Sequence, residues 1–484
     1  MTIIKTIVVF MKILKTHIIE GFKKNEIGNS AYLYKQVLAT IASSFLCLSA
    51  GLTNGISAVL LPMLVSDSTL SWGPGFGPWI AAIAPISSIL GCICVGTLLD
   101  GYGRRTVHII LAFPFIAGWM FMAFADDFPT MMVGRCLTGL SYGAVRPATI
   151  IYLGEISDPK YRGIILLCPS LALNIGVLLS HVIGSFIYWR TTLLICVAPS
   201  AMMFALLFFL KESPYWLIAQ GRVDEGVECF RWFRGSEATA ESELQNVVEK
   251  QKGITSRFSV KEVLETFCSS AFIKPTVTVV FIFLAVQMCG INAFPFYAYD
   301  LLKTMFGTTG ESHIATFFLM VAVDLIRVAV SIVICLFGRK MRRKLVFVVA
   351  AYGTTVILAG LVICGFYQKL YALPLILLVL YTCAASAIAS LGWTFIAELY
   401  PTKVRGLGSS LSGVICFILL SICIKMTPDL LWSGGSVMYG TFACLTGLSA
   451  VVLTFILPET NGRRLQDIED SYDKRDKDII VTAL

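Results

Sequence analysis

The strings Glu155–Gly163, EISDPKYRG, and Glu398–Gly406, ELYPTKVRG, decide the fold of this chain. In both strings an arginine follows the glutamate at a spacing of seven, and both strings come directly after a long apolar run. About half of the 484 residues separate one string from the other. A motif that recurs at such a distance predicts an internal repeat, in which each half of the chain forms the same structural unit.

Two further pairs of short motifs recur in the same order. Gly103–Arg105 (GRR) matches Gly338–Lys340 (GRK), and Glu212–Pro214 (ESP) matches Pro458–Thr460 (PET). Three matched pairs in register predict two parallel repeats, related by an axis along the membrane normal if the chain spans a bilayer.

The composition indicates that it does. Hydrophobic residues make up 57% of the chain and charged residues 14%, whereas soluble domains carry about 25% charged residues. This excludes a disordered chain, a fibrous repeat and an ordinary soluble enzyme. An apolar run of about 20 residues crosses the ~30 Å of hydrocarbon in a bilayer. Twelve runs qualify: 36–60, 79–99, 106–125, 130–153, 163–187, 191–210, 275–299, 313–337, 345–366, 373–397, 407–427 and 437–457.

These runs lack the alternation of barrel strands, so they predict helices. The expected fold is an all-α membrane protein with twelve transmembrane helices in two pseudo-symmetric six-helix bundles. The expected divisions are a cytoplasmic amino-terminal segment 1–35, a bundle 36–210, a cytoplasmic helical linker 211–274, a bundle 275–457 and a cytoplasmic tail 458–484.

Charge distribution predicts the orientation. Lysines and arginines gather in the short loops after the second and eighth runs, whereas the loops after the first, third and eleventh runs contain aspartate without lysine or arginine. The basic side is expected to be cytoplasmic, with both termini on that side. The net charge of +8 is therefore attributed to loops that face an anionic lipid leaflet, and not to nucleic-acid binding.

Several kinds of chemistry find no support in the sequence. The 15 cysteines lie mostly in apolar runs, which indicates reduced packing residues, and neither they nor the four histidines show metal-ligand spacing. No phosphate-binding GxxxxGK[ST] string is present. The sequence therefore indicates neither an enzyme nor a bound metal or cofactor.

Acids and arginines recur at the expected cytoplasmic ends of the helices. Arginine forms bidentate pairs with carboxylates, and such pairs can hold two bundles together in one conformation and part in another. The alternative is that these charges only set the topology. The expected members of this cytoplasmic charge lock are Asp100, Arg104, Arg105, Glu155, Arg162, Glu212, Arg339, Glu398, Arg405 and Glu459.

Among the charged residues inside apolar runs are Arg146 in the fourth, and Asp324 and Arg327 in the eighth. A charge in mid-membrane costs about 3 kcal/mol or more, so each is a candidate functional residue. Arg146 could hold an anionic or zwitterionic substrate, and Asp324 could bind a proton. Alternatively, Asp324 and Arg327 form a structural ion pair, since residues three apart share a helix face.

Together the motifs resemble the sugar-porter branch of the major facilitator superfamily, and most closely its insect facilitated trehalose transporter type. The resemblance spans about 36–470 and includes Gly96–Arg105 (GTLLDGYGRR), Glu212–Leu217 (ESPYWL), Gln287–Asn292 (QMCGIN) and Pro458–Leu465 (PETNGRRL). It implies alternating-access carriage of a sugar, trehalose or a hexose, through a central site.

The resemblance also implies where that site lies. Gln287, Asn292 and Trp393 would bind sugar, and Tyr297 would close the outer side. Ser170 stands where the family carries a sugar-binding glutamine, and Asn54 is the central polar group of the first run. Amides suit sugar hydroxyls and an aromatic ring suits the C–H faces of a sugar, but buried amides can equally join helices. A bend near Gly290 would align Gln287 with Asn292.

The first run contains no acid, whereas proton-coupled sugar porters typically carry one there, so the resemblance favours facilitated diffusion across a plasma membrane. Some family features are absent: Val286 replaces one of two paired glutamines, and 387–392 lacks the usual prolines. Two alternatives therefore stay open. They are a carrier of a non-sugar solute, an organic acid or zwitterion, and a sugar sensor that does not transport. The expected partners are a small-molecule substrate and the lipid bilayer.

Overall fold

The structure is a computed structural model that describes residues 30–66, 76–252, 270–297, 313–337, 341–366, 372–400 and 405–459. Within these ranges all regular secondary structure is helical. Most of the expected amino-terminal segment 1–35 and of the expected tail 458–484 lies outside them. So does Arg339, and the side chains of Glu398 and Arg405 also lie outside what the structure describes.

The first half contains six spans, the last of them in two pieces. Asp127 begins the fourth span by accepting a hydrogen bond from the backbone nitrogen of Thr130 at 3.1 Å. Such a cap satisfies one of the free N–H groups at a helix start. The helices are α1 (Ser30–Ser66), α2 (Phe76–Tyr102), α3 (Arg104–Ala123), α4 (Phe128–Ile156), α5 (Arg162–Phe186), α6 (Trp189–Ile195) and α7 (Val197–Leu207).

Three shorter helices follow: α8 (Pro214–Ala219), α9 (Val223–Arg234) and α10 (Ala238–Lys252). They pack against one end of the first six spans. The side chain of Gln36 donates to the carbonyl of Phe233 at 2.9 Å, and Arg234 donates to the carbonyl of Ser157 at 3.2 Å. The linker helices are therefore fastened to the ends of α1 and α4.

The second half contains six more spans, again joined so that consecutive helices alternate in direction. They are α11 (Ser270–Met288), α12 (His313–Phe337), α13 (Arg343–Phe366), α14 (Ala372–Leu399), α15 (Arg405–Trp432) and α16 (Gly435–Ile456). Each of the twelve apolar runs of the sequence overlaps these helices. In the sixth run the helix is interrupted at Cys196 between α6 and α7, and the seventh run extends beyond the end of α11 at Met288.

Ten helical segments of the described residues are long and apolar enough to cross a membrane, by length and composition. The two remaining spans have identifiable reasons for falling short. The apolar part of α11, Phe272–Met288, is shorter, and α4 carries Arg135 and Arg146 among its buried residues. The expected fold class is confirmed: an all-α membrane protein of two six-helix bundles.

Contacts inside the first half are unusually close because glycines face each other. A Cβ atom built on Gly51 of α1 would lie 2.0 Å from the carbonyl oxygen of Leu173 on α5, and one built on Gly143 of α4 would lie 2.0 Å from that of Ser88 on α2. Small residues let membrane helices approach to backbone contact. The pairs α1–α5 and α2–α4 are therefore fixed against each other.

The same pairings recur in the second half, where α11 packs on α15, α12 on α14 and α13 on α16. The halves meet along two further pairs, α2 with α15 and α5 with α12. On the second of these, the thiols of Cys168 and Cys335 both point to the carbonyl oxygen of Ile164, at 3.3 and 3.8 Å. Equivalent helices thus make equivalent contacts, as a duplicated bundle requires.

Two names are used below for the ends of the bundle. The basic end is where α2 meets α3, α4 meets α5 and α12 meets α13, and it carries Arg104, Arg105 and Arg162. The acidic end is where α3 meets α4 and α5 meets α6, and it carries Asp126 and Asp127. Ion pairs join neighbouring helix ends within each end of the bundle. Arg104 pairs with Glu155 at the basic end, and Arg190 pairs with Asp126 at the acidic end.

Candidate functional site

A cavity of about 50 Å³ lies between the two halves at the level of Gln287 and Trp393. Its walls come from α1, α4 and α5 of the first half and from α11, α14 and α15 of the second, which are the equivalent positions in the repeat. The polar lining consists of Asn54, Tyr142, Arg146, Ser170, Asn174, Gln287, Asn292, Ser390, Trp393 and Cys416. Leu173, Ala389, Phe417 and Leu420 complete the wall.

The structure therefore brings together five of the six sugar-site residues that the resemblance implied, and adds Arg146 to them. Tyr297 is the exception, because it is buried but lines neither this cavity nor the one described next. Its expected role in closing the outer side stays a prediction.

A larger cavity of about 230 Å³ shares Arg146, Ser170 and Trp393 with the central one. It extends towards the basic end, where Pro159, Arg162 and Arg343 line it. We call it the basic vestibule. Because the two cavities share wall residues, a solute that enters from the basic end meets Arg146 and Trp393 before the remaining polar groups.

The two amides from the second half are aligned because the helix is interrupted between them. Helix α11 ends at Met288, and Gly290 adopts a positive φ of 84°. A Cβ atom at Gly290 would lie 2.9 Å from the Phe442 ring, so glycine is needed for space as well as for conformation. The break lets the Nδ2 of Asn292 donate to the Oε1 of Gln287 at 2.9 Å.

Gln287 is also tied to a neighbouring helix. Its Nε2 lies 3.0 Å from the Sγ of Cys416 on α15, and the residue is almost fully buried. The amide pair therefore does two things at once. It joins α11 to α15, which is the helix-joining role that buried amides can have. It also places both amide groups on the wall of the cavity.

Asn54 supplies an unused hydrogen-bond acceptor. Its Nδ2 donates to the Tyr142 hydroxyl at 2.8 Å, and Tyr142 in turn packs edge-on against Phe417 with the ring centroids 4.8 Å apart. The Oδ1 of Asn54 is buried and has no hydrogen-bond partner among the described residues. Buried acceptors are normally satisfied, so this atom suits a hydroxyl group brought by a ligand.

Trp393 and Arg146 form a stacked pair on the wall shared by both cavities. The guanidinium carbon of Arg146 lies 4.8 Å from the centre of the Trp393 ring, and one guanidinium nitrogen donates to Ser170 Oγ at 2.7 Å. The Phe283 ring packs edge-on against the indole, with the ring centroids 5.1 Å apart. The indole is thus held firmly while the cation is held by a neutral hydroxyl and a ring.

The expected ion pair between Asp324 and Arg327 is wrong. The Oδ2 of Asp324 instead lies 2.5 Å from the Nδ1 of His181 on α5, and the Nε2 of the same ring faces the carbonyl of Pro295 at 3.3 Å. Asp324 therefore bonds a histidine of the facing helix, whereas Arg327 donates to Asn174.

Arg327 takes part in a second contact between the halves. Its guanidinium donates to the Oδ1 of Asn174 at 3.3 Å, and the amide nitrogen of Asn174 donates to Ser331 Oγ at 2.8 Å. Polar and charged groups therefore line the α5–α12 contact from the acidic end to the middle of the bundle. Such groups in a membrane interior usually mark the parts that bind or move.

Several members of the expected charge lock meet within the first half. Arg104 makes an ion pair with Glu155 at 2.9 Å and lies 3.7 Å from Asp100. Glu212 accepts hydrogen bonds from the backbone nitrogens of Arg104 and Arg105 at 2.8 and 2.9 Å. A carboxylate at the start of α3 opposes the positive end of the helix dipole.

The contacts of Arg104, Arg105, Glu155, Glu212 and Arg162 described here join helices of the first half. Arg105 donates to the carbonyl of Leu207 at 2.9 Å, and Arg162 donates to that of Ser157 at 3.4 Å. Glu459 lies at the end of the second half, after α16. The side chains of Glu398 and Arg405 fall outside the described part of the chain, so a tie between the halves stays a prediction.

Five residues of the polar interior were not expected from the sequence: Tyr142, Asn174, Ser390 and Cys416 of the cavity lining, and His181 beside Asp324. His181 gave a usable signal, because it is a single histidine within the apolar run 163–187. Tyr142 and Asn174 gave a weaker one, since tyrosine and asparagine occur in many membrane helices without lining a cavity.

This architecture defines a class: a polytopic membrane protein in which two like six-helix bundles enclose a polar cavity. The sequence matches the family model described as sugar (and other) transporter over residues 37–472. The chain therefore belongs to that family.

Individual relatives carry related descriptions. The chain is 30% identical over 468 residues to the facilitated trehalose transporter Tret1-2 homolog of Drosophila simulans, covering 93% of this chain and 92% of that protein. It is 27% identical over 449 residues to facilitated trehalose transporter Tret1 of Apis mellifera ligustica, covering 90% and 88%. It spans only 52% of trehalose transporter 1 of Drosophila melanogaster, at 29% identity over 91% of this chain.

Solved structures share the fold. The proton:xylose symporter XylE bound to 6-bromo-6-deoxy-D-glucose superposes with a TM-score of 0.80 at 19% identity, covering 92% of this chain and 100% of that one. The inward open conformation of XylE from E. coli gives a TM-score of 0.70 over 91% and 99%. At this level of identity the likeness establishes the fold.

Proposed function

We propose that the protein is a facilitative sugar transporter that works by alternating access. The observation that carries this proposal is the central cavity, in which an aromatic face and several amide and hydroxyl groups meet from both halves. Trp393 offers its ring to the C–H face of a pyranose, and Asn54, Gln287 and Asn292 offer donors and acceptors to its hydroxyls. The names of the relatives make trehalose the first sugar to test.

The position of the cavity between the two halves suits a mechanism in which one half rotates against the other. Because both halves contribute to the wall, a bound sugar contacts both, and rotation of one half against the other exposes it to one end of the bundle at a time. The α2–α15 and α5–α12 contacts lie where such a rotation would occur. The charge lock would act at the basic end, with Arg162, Arg339, Glu398, Arg405 and Glu459 holding the halves together in one state.

We further propose that transport is not coupled to protons, that the carrier lies in a plasma membrane, and that both termini are cytoplasmic. The span α1 contains no aspartate or glutamate. Helices α8, α9 and α10 lie at the basic end beside lysine- and arginine-rich loops, and such loops are typically cytoplasmic, which supports the proposed orientation.

The test is uptake of labelled trehalose and glucose into cells that lack their own sugar carriers. We expect saturable uptake that an excess of unlabelled sugar inhibits, with the same rate whether or not a pH gradient is imposed. Binding of sugar without uptake would support the sensor alternative. Uptake that rises steeply with an inward proton gradient would contradict facilitated diffusion.

A further inference from the structure

Building on the proposed function, we propose that the substrate of this carrier is a sugar that bears one carboxylate, and that Arg146 binds that carboxylate in the central cavity. The proposal rests on an arginine that lacks a counter-charge, on its place between two cavities, and on the neutral groups around it.

Arg146 is a buried cation without an acidic partner. Only 8% of the residue is exposed, and it contacts the Ser170 hydroxyl at 2.7 Å and the Trp393 ring at 4.8 Å. No carboxylate lies within 4.0 Å of it among the described side chains. By contrast, the buried Arg234 pairs with Glu243 at 2.6 Å. Buried charges in proteins are usually paired, so an unpaired one beside a cavity calls for a ligand of opposite charge.

The carboxylate that lies in the described polar interior, that of Asp324, already has a hydrogen-bond partner. Asp324 bonds His181 at 2.5 Å, on the α5–α12 contact, and is not part of the lining of either cavity. Arg146 is therefore the one charged residue in the described lining of the central cavity, whereas Arg162 and Arg343 add positive charge to the basic vestibule. One guanidinium balances one negative charge, which fits a carboxylate better than the double charge of a phosphate ester.

The chemistry of the wall also fits the rest of such a molecule. Guanidinium binds carboxylate through two parallel hydrogen bonds, and it does so here next to the ring of Trp393. A pyranose or open-chain sugar acid could place its carboxylate on Arg146 while its hydroxyls reach Asn54, Gln287 and Asn292. A simple carboxylic acid without hydroxyls would leave the buried Oδ1 of Asn54 without a hydrogen-bond partner.

The experiment uses the purified full-length protein in liposomes, with labelled D-gluconate, D-glucuronate, D-glucose and D-glucose 6-phosphate as substrates. We expect the two sugar acids to be taken up at least tenfold faster than glucose at equal low concentration. Because a single charge crosses with each sugar acid, its accumulation at equilibrium should change about tenfold for each ~60 mV of imposed membrane potential. Glucose accumulation should not respond to the potential.

Three variants connect this behaviour to the arginine. R146Q should lower the ratio of gluconate to glucose uptake at least tenfold, and R146K, which keeps the charge, should lower it less. R135Q removes the same charge from the same helix, but Arg135 lies outside both cavities, where it donates to the carbonyl of Thr53 at 3.2 Å. In R135Q both rates should fall together and the ratio should stay unchanged.

A binding measurement covers variants that reach the membrane in low amounts. Gluconate should raise the melting temperature of the detergent-purified wild type more than glucose does, and this difference should vanish in R146Q. Glucose uptake without sugar-acid uptake would overturn this inference alone, and so would a gluconate-to-glucose ratio that R146Q leaves unchanged. Preference for glucose 6-phosphate over gluconate would overturn the assignment of a carboxylate. Absence of uptake of every sugar would overturn the proposed function as well.

Discussion

Trp393 is buried and contacts both the Phe283 ring and the Arg146 guanidinium, so its ring has little freedom to turn. A fixed aromatic ring contributes to sugar binding without losing side-chain entropy when the sugar arrives. The neighbouring amides differ in this respect, because Gln287 and Asn292 bond each other and must exchange that bond for bonds to hydroxyls. The ring is therefore the part of the site that is preorganised.

The substitution W393L should raise the KM for sugar about threefold to tenfold, since an aromatic contact contributes about 0.5–1.5 kcal/mol beyond the area it buries. Initial rates over a range of sugar concentrations measure the effect. W432L is the matched control, because Trp432 is 94% exposed and lies far from the cavity. An equal rise of KM in both variants would contradict a binding role for Trp393.

At the scale of single residues, the sequence predicted which side chains line the cavity better than it predicted their partners. Gln287 and Asn292 are close in sequence, so a glycine bend between them could be anticipated. The partner of Asp324 could not, because His181 lies 143 residues away and helix periodicity carries no information about which helices face each other. The same holds for Arg146 and Ser170.

At the turn between α2 and α3, a glycine with a positive φ lies next to the carboxylate that caps α3. Gly103 has a φ of 91°, and the carboxylate of Glu212 accepts bonds from the first backbone nitrogens of α3 directly beside it. A Cβ atom on Gly103 would lie 2.6 Å from the Oε2 of Glu212. Glycine is therefore required both for the backbone conformation and for the approach of the carboxylate.

We expect G103A to destabilise the protein by about 1–3 kcal/mol, because it forces an unfavourable backbone conformation and displaces Glu212. Thermal unfolding of the purified protein in detergent measures this as a lower melting temperature. G101A is the control, since a Cβ atom at Gly101, two residues earlier and inside α2, meets nothing within 4 Å. If G101A lowered the melting temperature as much as G103A, the explanation would fail.

Hydropathy predicted the helices well because a membrane demands about 20 apolar residues for each crossing. It did not predict the break at Cys196, where Pro199 in the first turn of α7 lacks the backbone N–H that would bond the carbonyl of Ile195. It also could not predict how α8, α9 and α10 sit on the basic end. Their docking depends on single hydrogen bonds, such as that from Gln36 to the carbonyl of Phe233.

Across the whole molecule, the interfaces inside the first half and the interface between the halves differ in chemistry. The α1–α5 and α2–α4 pairs meet through glycines, whereas α5 and α12 meet through His181, Asp324, Asn174 and Arg327. The repeat itself was evident from three pairs of motifs, but these motifs lie at helix ends. They could not reveal which helices form the contact between the halves.

The bond between His181 and Asp324 joins the halves near the acidic end, so it should favour the state that is closed there. D324N removes the charge while keeping the shape, and we expect it to increase the population open at the acidic end about tenfold, a coupling energy of about 1.4 kcal/mol. Spin labels at positions 188 and 318, both exposed beside the Phe186–Phe317 ring contact, report the opening as a longer interspin distance.

D126N provides the comparison for this measurement. It removes a carboxylate at the same end, but the partner of Asp126 is Arg190, so the pair lies within one half. Its distance distribution should match the wild type. Identical distributions for D324N and the wild type would show that the buried pair does not discriminate between the two states.

The glycine contacts of α1 with α5 have a mechanical consequence. Where backbone touches backbone, no layer of side chains can change rotamer, and a small rotation would drive a carbonyl oxygen into a neighbouring chain. The six spans of the first half must then turn as one stiff body, and the deformation of each transport cycle concentrates along α2–α15 and α5–α12. The interfaces α2–α15 and α5–α12 are therefore where the carrier changes shape.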